Sequence, residues 1–426
     1  MLLIYTPNPT IRLQYICKFI FDEILCASYS LTFDEQSFIQ HDGNKINYSN
    51  KRFDNIFQIV PHQLIFENDI KERTITCFDF KNTKAFFKTI ESDFPFDIFA
   101  ACFYLISRYE EYLPHKKDFY GRYAHENSLA FKEGFLNKPV VNIWLADFKR
   151  VLQQYFPDIV FKEKLFSYLP TYDIDIAWAS KEKGLLRNIG GFFKNPSLEK
   201  FTSFFSNEND VFDCYAFLDG FHKDNNLNPI YFFLVAKENG IYDKNILPDN
   251  EAMKSLIKQH AAKYTIGIHP SWKSYEGENI LAEEIKTLEN IADIKINTSR
   301  QHYIKFELPE TYHRLISQKI SEDYSMGYGS INGFRASVAS SFMWFDLVNN
   351  KISNLRIHPF CFMDANCHYE QKLNVNEAYQ ELMYYYETCK NINGNLITIF
   401  HNSFLGTGKE FDGWRELYQK FISTLV

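Results

Sequence analysis

The segment 171–175, Thr-Tyr-Asp-Ile-Asp, places two carboxylates at the end of a stretch with strand composition, between Pro170 and Trp178. Side chains two positions apart in a β-strand point to the same side, so Asp173 and Asp175 are expected to project together. Carboxylates crowded into one small volume repel each other, and a bound cation relieves that repulsion. The pair therefore predicts a metal site, or a metal ligand beside a general base. The alternative interpretation is a strand-to-helix loop in which the aspartates cap the next helix.

From about residue 166 onward, strand-like runs alternate with helical runs. The predicted strands are Tyr168–Ile176, Pro229–Val235, Tyr264–His269, Ile294–His302, Asp323–Met326, Leu355–Phe362 and Leu396–Asn402. The predicted helices lie near Asn250–Lys263, Glu278–Ile291, Glu310–Lys319, Asn374–Asn391 and Gly413–Leu425. This alternation implies parallel strands with covering helices, and roughly 260 residues fit one barrel better than two smaller domains. Residues 166–426 are therefore predicted to form a barrel-like α/β domain, with 185–209 as a long excursion from its first strand.

Residues 1–165 mix strands and helices without a regular alternation, which predicts a smaller mixed α/β domain. The predicted helices are Ile11–Ile24, Pro95–Ser107 and Val140–Phe156, and the predicted short strands lie around Lys45–Tyr48, Gln63–Phe66 and Thr74–Phe78. The second helix is apolar on almost every side and is therefore expected to be buried.

Two stretches in this region, Arg108–Leu113 and Asp118–Tyr123, mix arginines and carboxylates with tyrosines. Such a mixture can line a ligand cleft, or it can form a hydrogen-bonded network where two domains meet. The second interpretation is favoured, because structural ion-pair networks often imitate functional sites.

Composition excludes several classes of protein. The 426 residues carry a formal net charge of −7, and no basic cluster typical of a nucleic-acid binder is present. No apolar run approaches the ~20 residues that a membrane span needs, and the N-terminus lacks the pattern of a secretory signal. The eight cysteines form no C-x-x-C pair, which disfavours a zinc finger or a redox motif. Reduced, buried thiols in a cytoplasmic protein are the simplest expectation.

Several predicted strands end in a residue that could take part in catalysis or metal binding. These residues are His269, Arg300 with His302, Asp323, and His401. A single histidine at a strand end is usually structural, but the carboxyl ends of parallel strands meet at one edge of a sheet, and these residues should meet there too. One carboxylate oxygen and two imidazoles suit Zn²⁺ with an open position for water. Asp175 and His269 are the firmest predicted ligands, and the third is either His302 or a residue that the pattern does not identify.

At this point the sequence resembles a known family. In chain order, TYDID at 171–175, HPS at 269–271, Arg300, Asp323 and His401 resemble the five motifs of the NodB-like polysaccharide deacetylases of the carbohydrate esterase 4 type. Over nearly the whole chain, stretches such as SRYEEYLP, TYDIDIAWA, IGIHPS, SRQHY, DYSMGY and GFRA look like a bacterial subgroup with an N-terminal extension.

The resemblance implies a distorted (β/α) barrel that uses a divalent metal to hydrolyse N- or O-linked acetyl groups on carbohydrates. By position, Asp173 resembles the catalytic base and Asp175 the metal-binding aspartate. His269 matches the first metal histidine, Arg300 the arginine that holds the base, and His401 the catalytic acid. The implied metal is Zn²⁺, with Co²⁺, Ni²⁺ or Mn²⁺ as alternatives.

The chain departs from the family pattern at three places. Lys273 stands where a second metal histidine usually falls, and His302 is the candidate to replace that imidazole. Ile174 separates two aspartates that are often adjacent in the family, so Asp173 and Asp175 could exchange roles. Arg335 is a rival for the role of Arg300.

The predicted partner is an acetylated carbohydrate. Its predicted contacts are Trp272, Tyr303, Asp323 and Arg335, although core packing is an equal explanation for the aromatic residues. Two alternatives remain open: a degenerate barrel that binds a glycan without hydrolysing it, suggested by Lys273, and a deacetylase of a small acetylated sugar or amide.

Overall fold

The computed structural model describes residues 1–181 and 210–425. The predicted excursion at 185–209 lies outside these residues. Within the described part of the chain, no helix has both the length and the apolar character needed to cross a bilayer.

The N-terminal region contains a four-stranded parallel sheet in the order β2-β1-β3-β4. Its strands are β1 (Leu2–Tyr5), β2 (Tyr29–Thr32), β3 (Asn44–Tyr48) and β4 (Phe57–Ile59), and a separate hairpin pairs β5 (Phe78–Phe80) with β6 (Thr83–Ala85). Its α-helices are Ile11–Cys17, Glu35–Gln40, Ile98–Ile106, Leu129–Lys132 and Val140–Tyr155. All nine residues of helix Ile98–Ile106 are buried, as its continuous apolar sequence predicts.

The C-terminal region is built on a nine-stranded sheet in the order β12-β13-β11-β10-β9-β8-β7-β15-β14. Its strands are β7 (Ser167–Ile174), β8 (Ile230–Phe233), β9 (Thr265–Ile268), β10 (Thr298–Ser299), β11 (Glu322–Asp323), β12 (Phe342–Asp346), β13 (Lys351–Ile357), β14 (Phe362–Met363) and β15 (Asn395–His401). Its described α-helices are Tyr215–Asp224, Glu251–Ala261, Glu278–Ala292, Glu310–Ser317, Val375–Asn391 and Trp414–Ile422. All pairings are parallel except that of β12 with β13. Because the two edge strands of the sheet do not pair with each other, the barrel is open, and the predicted distorted (β/α) barrel is confirmed.

Pro170 lies within the first strand of this sheet, as the predicted strand Tyr168–Ile176 implies. It lies inside β7, opposite Thr398 of β15, while the pairing of β7 with β8 begins only at Thr171. The proline therefore occupies a stretch with a neighbour on one side only, where its missing N–H costs no ladder hydrogen bond.

Several element predictions were wrong. Residues Gln63–Phe66 form a 3₁₀ turn instead of a strand, because the ring of His62 caps Leu64 N and Arg12 donates to the Leu64 carbonyl at 2.9 Å. The strand predicted at 74–78 is present only as β5, which begins at Phe78. The strand predicted at 294–302 is reduced to β10, and the chain then turns through Tyr303 and Ile304, whose φ angles are 58° and 53°.

A buried ion-pair network joins the N-terminal region to the barrel. Glu111 accepts two hydrogen bonds from Arg335, at 2.8 and 2.5 Å, and one from Arg108 at 2.6 Å. Arg108 also reaches Tyr328 of the barrel at 3.3 Å. The first of the two charged stretches is therefore the seam that the sequence favours.

Candidate metal centre and catalytic cleft

The two aspartates of the opening motif emerge at the carboxyl end of β7, as its alternation predicts. Asp173 is the last but one residue of the strand and is buried, whereas Asp175 follows the strand and its side chain is 28% exposed. Both side chains line the same cavity.

Asp175 meets two histidines that arrive from neighbouring strands. His269 follows β9, and its Nε2 lies 3.0 Å from Asp175 Oδ1; His302 follows β10, and its Nε2 lies 3.5 Å from Asp175 Oδ2. One ligand atom from each of these three residues lies within 4.8 Å of the other two. The structure thus brings together the two firmest predicted ligands and the candidate third.

The other ring nitrogen of each histidine has an acceptor that fixes the tautomer. His269 Nδ1 lies 2.6 Å from the carbonyl oxygen of Arg300, and His302 Nδ1 lies 3.0 Å from a carboxylate oxygen of Asp243. Because both acceptors lack a proton, Nδ1 carries the hydrogen in each ring, and Nε2 is directed to Asp175. An acceptor that orients a metal-binding histidine in this way is typical of metal sites.

These donors fit a divalent cation. Asp175 Oδ1 is buried without a hydrogen-bond partner among the described residues, although it faces an imidazole nitrogen. A carboxylate oxygen and two imidazole nitrogens that converge in this way are stabilised by a positive charge between them. These three atoms are a donor set that Zn²⁺ prefers.

Protons compete with a cation for the same place. Burial raises the pKa of Asp175, but the charges of His302 and His401 outweigh it and hold the pKa well below its ordinary value. Burial lowers the pKa of His302, but Asp175 and Asp243 outweigh that effect and raise it to about 9. In the metal-free protein the ring is therefore charged at neutral pH, and metal binding must release its Nε2 proton.

Asp173 is held by an arginine instead of by histidines. Arg300 Nη1 donates to Asp173 Oδ1 at 2.9 Å and to Thr171 Oγ1 at 2.7 Å. The guanidinium lies 4.4 Å from the ring centre of Phe232, and Gly267 makes room for that ring, since a Cβ at position 267 would lie 2.6 Å from it. The guanidinium of Arg300 is thus held by hydrogen bonds and by the ring of Phe232, and it fixes the position of the Asp173 carboxylate.

His401 ends β15 on the other side of β7. Its Nδ1 lies 2.6 Å from Asp364 Oδ1, and the other oxygen of Asp364 accepts the backbone N–H of His401 at 2.7 Å. Its Nε2 is directed to the cavity, 3.5 Å from Asp175 Oδ2. Burial lowers the pKa of His401, but Asp364 and Asp175 outweigh it and raise the pKa to about 10.

The remaining predicted residues lie in different places. Tyr303 lines the cavity, and Trp272 stands beside it in an aromatic group, stacked on Tyr242 at 4.0 Å. Asp323 is fully buried and accepts hydrogen bonds from Ser299 and Ser325, away from the cavity lining. Arg335 is the bidentate partner of Glu111 at the seam, and Lys273 is exposed and paired with Glu238. Neither Asp323 nor Arg335 lines the cavity, because other side chains hold them in buried networks.

Sequence reasoning missed two residues of the site, Asp243 and Asp364, and for Tyr120 and Arg122 it favoured the seam over the ligand cleft. Asp364 directly follows β14, so the rule that strand ends collect functional residues could have found it. Asp243 lies in a loop, and its partner His302 is 59 residues away in the chain, so no local pattern marks it. Tyr120 and Arg122 come from the N-terminal region and line the cavity of the barrel.

The cavity around these groups has a volume of about 540 Å³ and is open to solvent. Its other described lining residues are Ile176, Ile304, Gly329, Met363, Ala365, Tyr369, Glu370, Asn402, Ser403 and Phe404. A cavity of this size, with convergent polar groups at its base and walls of mixed polarity, is typical of a small-molecule site.

Comparisons with known proteins cover the two regions separately. A family of unknown function, DUF7033, matches residues 2–157. No curated protein sequence matches the chain.

Among solved structures, one from Mycobacterium smegmatis, named as a polysaccharide deacetylase, is 13% identical, with 62% of this chain and 85% of that chain covered and a TM-score of 0.41. A polysaccharide deacetylase from Bacillus cereus is 12% identical, with 62% and 89% covered and a TM-score of 0.32. An allantoinase is 9% identical, with 61% and 83% covered and a TM-score of 0.38.

These similarities concern the fold alone. The open, mostly parallel barrel with motif residues at its carboxyl edge is the architecture that the motif resemblance predicts.

Proposed function

We propose that the protein is a metal-dependent hydrolase that removes acetyl groups, N- or O-linked, from a carbohydrate. The observation that carries the proposal is the convergence of Asp175, His269 and His302, with both tautomers fixed, beside a buried aspartate held by an arginine. Metal ligands and a separate carboxylate base, side by side at the bottom of one open cavity, are the requirements of metal-assisted hydrolysis.

Each side chain has a distinct role in the proposed reaction. Asp175, His269 and His302 would hold a divalent ion, which when bound would acidify a water and polarise the acyl carbonyl. Asp173 takes the proton of the attacking water, since Arg300 holds and orients its carboxylate. His401 gives a proton from Nε2 to the departing amine or alkoxide, because Asp364 holds its Nδ1 hydrogen. General acid catalysis of this kind contributes typically ~10²–10⁴-fold.

The geometry supports one assignment of the two aspartates. Asp175 is surrounded by the Nε2 atoms of His269, His302 and His401, at 3.0 to 3.5 Å. Asp173 lies 3.9 Å from His269 Nε2 and binds Arg300 instead. An aspartate among imidazole nitrogens is placed to be a ligand, and one beside a guanidinium is placed to be a base.

The degenerate binding barrel was suggested by the lysine at a ligand position. Lys273 is exposed and pairs with Glu238, while His302 from the next strand supplies an imidazole nitrogen. The lysine therefore does not enter the ligand set, and the hydrolase is favoured over the binding module.

The test is acetate release by the purified protein after loading with Zn²⁺ or Co²⁺, measured on N-acetylated and O-acetylated sugars and on simple acetamides. We expect about one ion per chain by elemental analysis, and acetate release that is lost after chelation and restored by metal. The Asp173→Asn variant should keep the ion and lose the activity.

A matched control is Asp249→Asn, which changes an exposed aspartate. This variant should keep both metal and activity. A protein that binds its ion with three ligands in place and releases acetate from none of these substrates would contradict the proposed hydrolase.

A further inference from the structure

A tight turn of the N-terminal region reaches the cleft of the barrel. Lys117 and Tyr123 form an antiparallel bridge, and Asp118 Oδ1 accepts the backbone N–H groups of Tyr120 and Arg122, each at 2.9 Å. Gly121 completes the turn with a φ of 75°, a value that favours glycine. We call residues 117–123 the cleft turn; its internal hydrogen bonds give it a defined shape.

Arg122 fastens the cleft turn to the barrel. Its Nη1 donates to the carbonyl of Tyr303 at 2.7 Å, and its Nε donates to Asp118 Oδ2 at 2.6 Å. Gly329 gives the guanidinium its space, because a Cβ at that position would lie 2.0 Å from Nη1. The position of the cleft turn is thus fixed relative to Tyr303, which directly follows the metal-site histidine His302.

Aromatic rings lead outward from the metal site along this contact. The ring centre of Tyr303 lies 4.6 Å from the ring centre of His302, and the ring centre of Tyr120 lies 5.3 Å from that of Tyr303. Arg122 holds the Tyr120 ring from one side, with its guanidinium carbon 4.8 Å from the ring centre. Tyr369, which is 52% exposed, lines the same cavity.

Tyr303 and Tyr369 are 36% and 52% exposed, and Tyr120, which packs against Tyr242, Trp272 and Tyr303, lines the same open cavity. Ring surface that stays in contact with water there costs free energy unless a ligand covers it. The C–H faces of a sugar ring are a suitable cover, because tyrosine combines an apolar face with a hydroxyl that can remain hydrated.

We propose that Tyr120 is a specificity-determining residue, which stacks on the sugar unit next to the one that loses its acetyl group. The substrate is then an acetylated glycan of two or more units, not a single acetylated sugar or a small amide. This inference rests on the proposed function for its reaction, but it concerns binding and is tested by binding.

The experiment compares single acetylated sugars with the matching tetrasaccharides, both N-acetylated and O-acetylated. Affinity is measured calorimetrically on the metal-loaded Asp173→Asn variant, which binds without turnover, and acetate release is measured on the wild type. The variants are Tyr120→Ala, Tyr120→Phe to keep the ring, and Tyr384→Ala as a matched half-exposed tyrosine outside the cavity. Melting curves establish that each variant is folded.

We expect a tetrasaccharide to bind more tightly than its monomer. Tyr120→Ala should weaken tetrasaccharide binding roughly three- to tenfold and leave monomer binding unchanged, as loss of one aromatic contact predicts. Tyr120→Phe and Tyr384→Ala should bind like the parent.

The inference would be overturned by equal affinity for monomer and tetrasaccharide, by equal effects of Tyr120→Ala on the binding of both, or by the absence of saccharide binding. Acetate release from monomers alone would overturn it too, while the proposed hydrolase would stand. Tighter tetrasaccharide binding that depends on the Tyr120 ring, without any acetate release, would support the inference and refute the hydrolase.

Discussion

Asp243 offers a sharp test of the metal site, because it contacts the site only through a ligand. It is buried, and one of its carboxylate oxygens accepts hydrogen bonds from His302 Nδ1 at 3.0 Å and from the backbone N–H of Trp272 at 2.8 Å. The negative charge makes the imidazole a better donor to a metal and fixes the plane of the ring. We predict that Asp243→Asn lowers metal affinity while all three ligands remain.

The size of the loss follows from what the substitution removes. Partners of this kind typically contribute 10–100-fold to metal affinity. An asparagine oxygen can still accept the Nδ1 hydrogen, so Asp243→Asn should lie near the lower limit, about tenfold or ~1.4 kcal/mol. Asp243→Ala removes the acceptor as well and should approach a hundredfold loss.

The assay is a competition titration of Zn²⁺ between the apo-protein and a chromophoric chelator at pH 7.5. Asp249→Asn, an exposed aspartate six positions later, is the control and should bind like the wild type. Melting of the apo-proteins separates a local effect from a folding defect, since Asp243 also anchors the Trp272 backbone. Unchanged affinity in folded Asp243→Asn would refute the reasoning that the His302 tautomer is set for a metal.

Three further predictions concern residues around the same cleft and the seam. His401→Gln should lower kcat for acetate release by ~10²–10⁴-fold with metal content unchanged, and wild-type kcat in this variant would contradict its role as the acid. Lys273→Met should leave the metal content, measured by elemental analysis, and kcat, measured by acetate release, unchanged, because the lysine side chain is exposed. Loss of the ion in this variant would show that the lysine supports the metal site. Burial raises the pKa of Glu111, but Arg335 and Arg108 outweigh it and lower the pKa from 4.5 to about 2. The stabilising effect of Glu111 is therefore present above pH 4.5 and lost as the pH falls towards 2. This loss corresponds to roughly 3 kcal/mol in the free energy of unfolding. Glu111→Gln should reduce the free energy of unfolding at pH 7 by ~3–5 kcal/mol in urea titrations. The free energy of unfolding of the variant should also decrease less between pH 4.5 and 2 than that of the wild type. An equally steep decrease in the variant would be evidence against this account.

Local sequence patterns predicted the elements that position the site. The strands β7, β9 and β15 were predicted with both ends within two residues of the observed ones, because an apolar run and the polar residues after it mark each strand within a few positions. Helix Val140–Tyr155 ends one residue before its predicted end. Asp175 and His269 meet as predicted because parallel strands bring their carboxyl ends to one edge.

Long-range contacts explain what the sequence did not predict. Gln63–Phe66 has strand composition, but a hydrogen bond from Arg12, more than 50 residues away, stabilises a helical turn there. The acceptor Asp243 is marked only by His302, which it orients and which is distant in the chain. Likewise, the two charged stretches near residues 108 and 118 look alike in sequence, but only the first is confined to the seam, while the second reaches the cleft.

The shared glutamate at the seam has a consequence for the evolution and engineering of the chain. Arg108 and Arg335, one from each region, both depend on Glu111, and none of the three is more than a few per cent exposed. A barrel expressed without its first 157 residues would lose the counter-ion that Arg335 has at the seam. A foreign N-terminal region could replace the present one only if it delivered a carboxylate to that same point. The match of a separate sequence family to residues 2–157 therefore does not imply that this region is an interchangeable module.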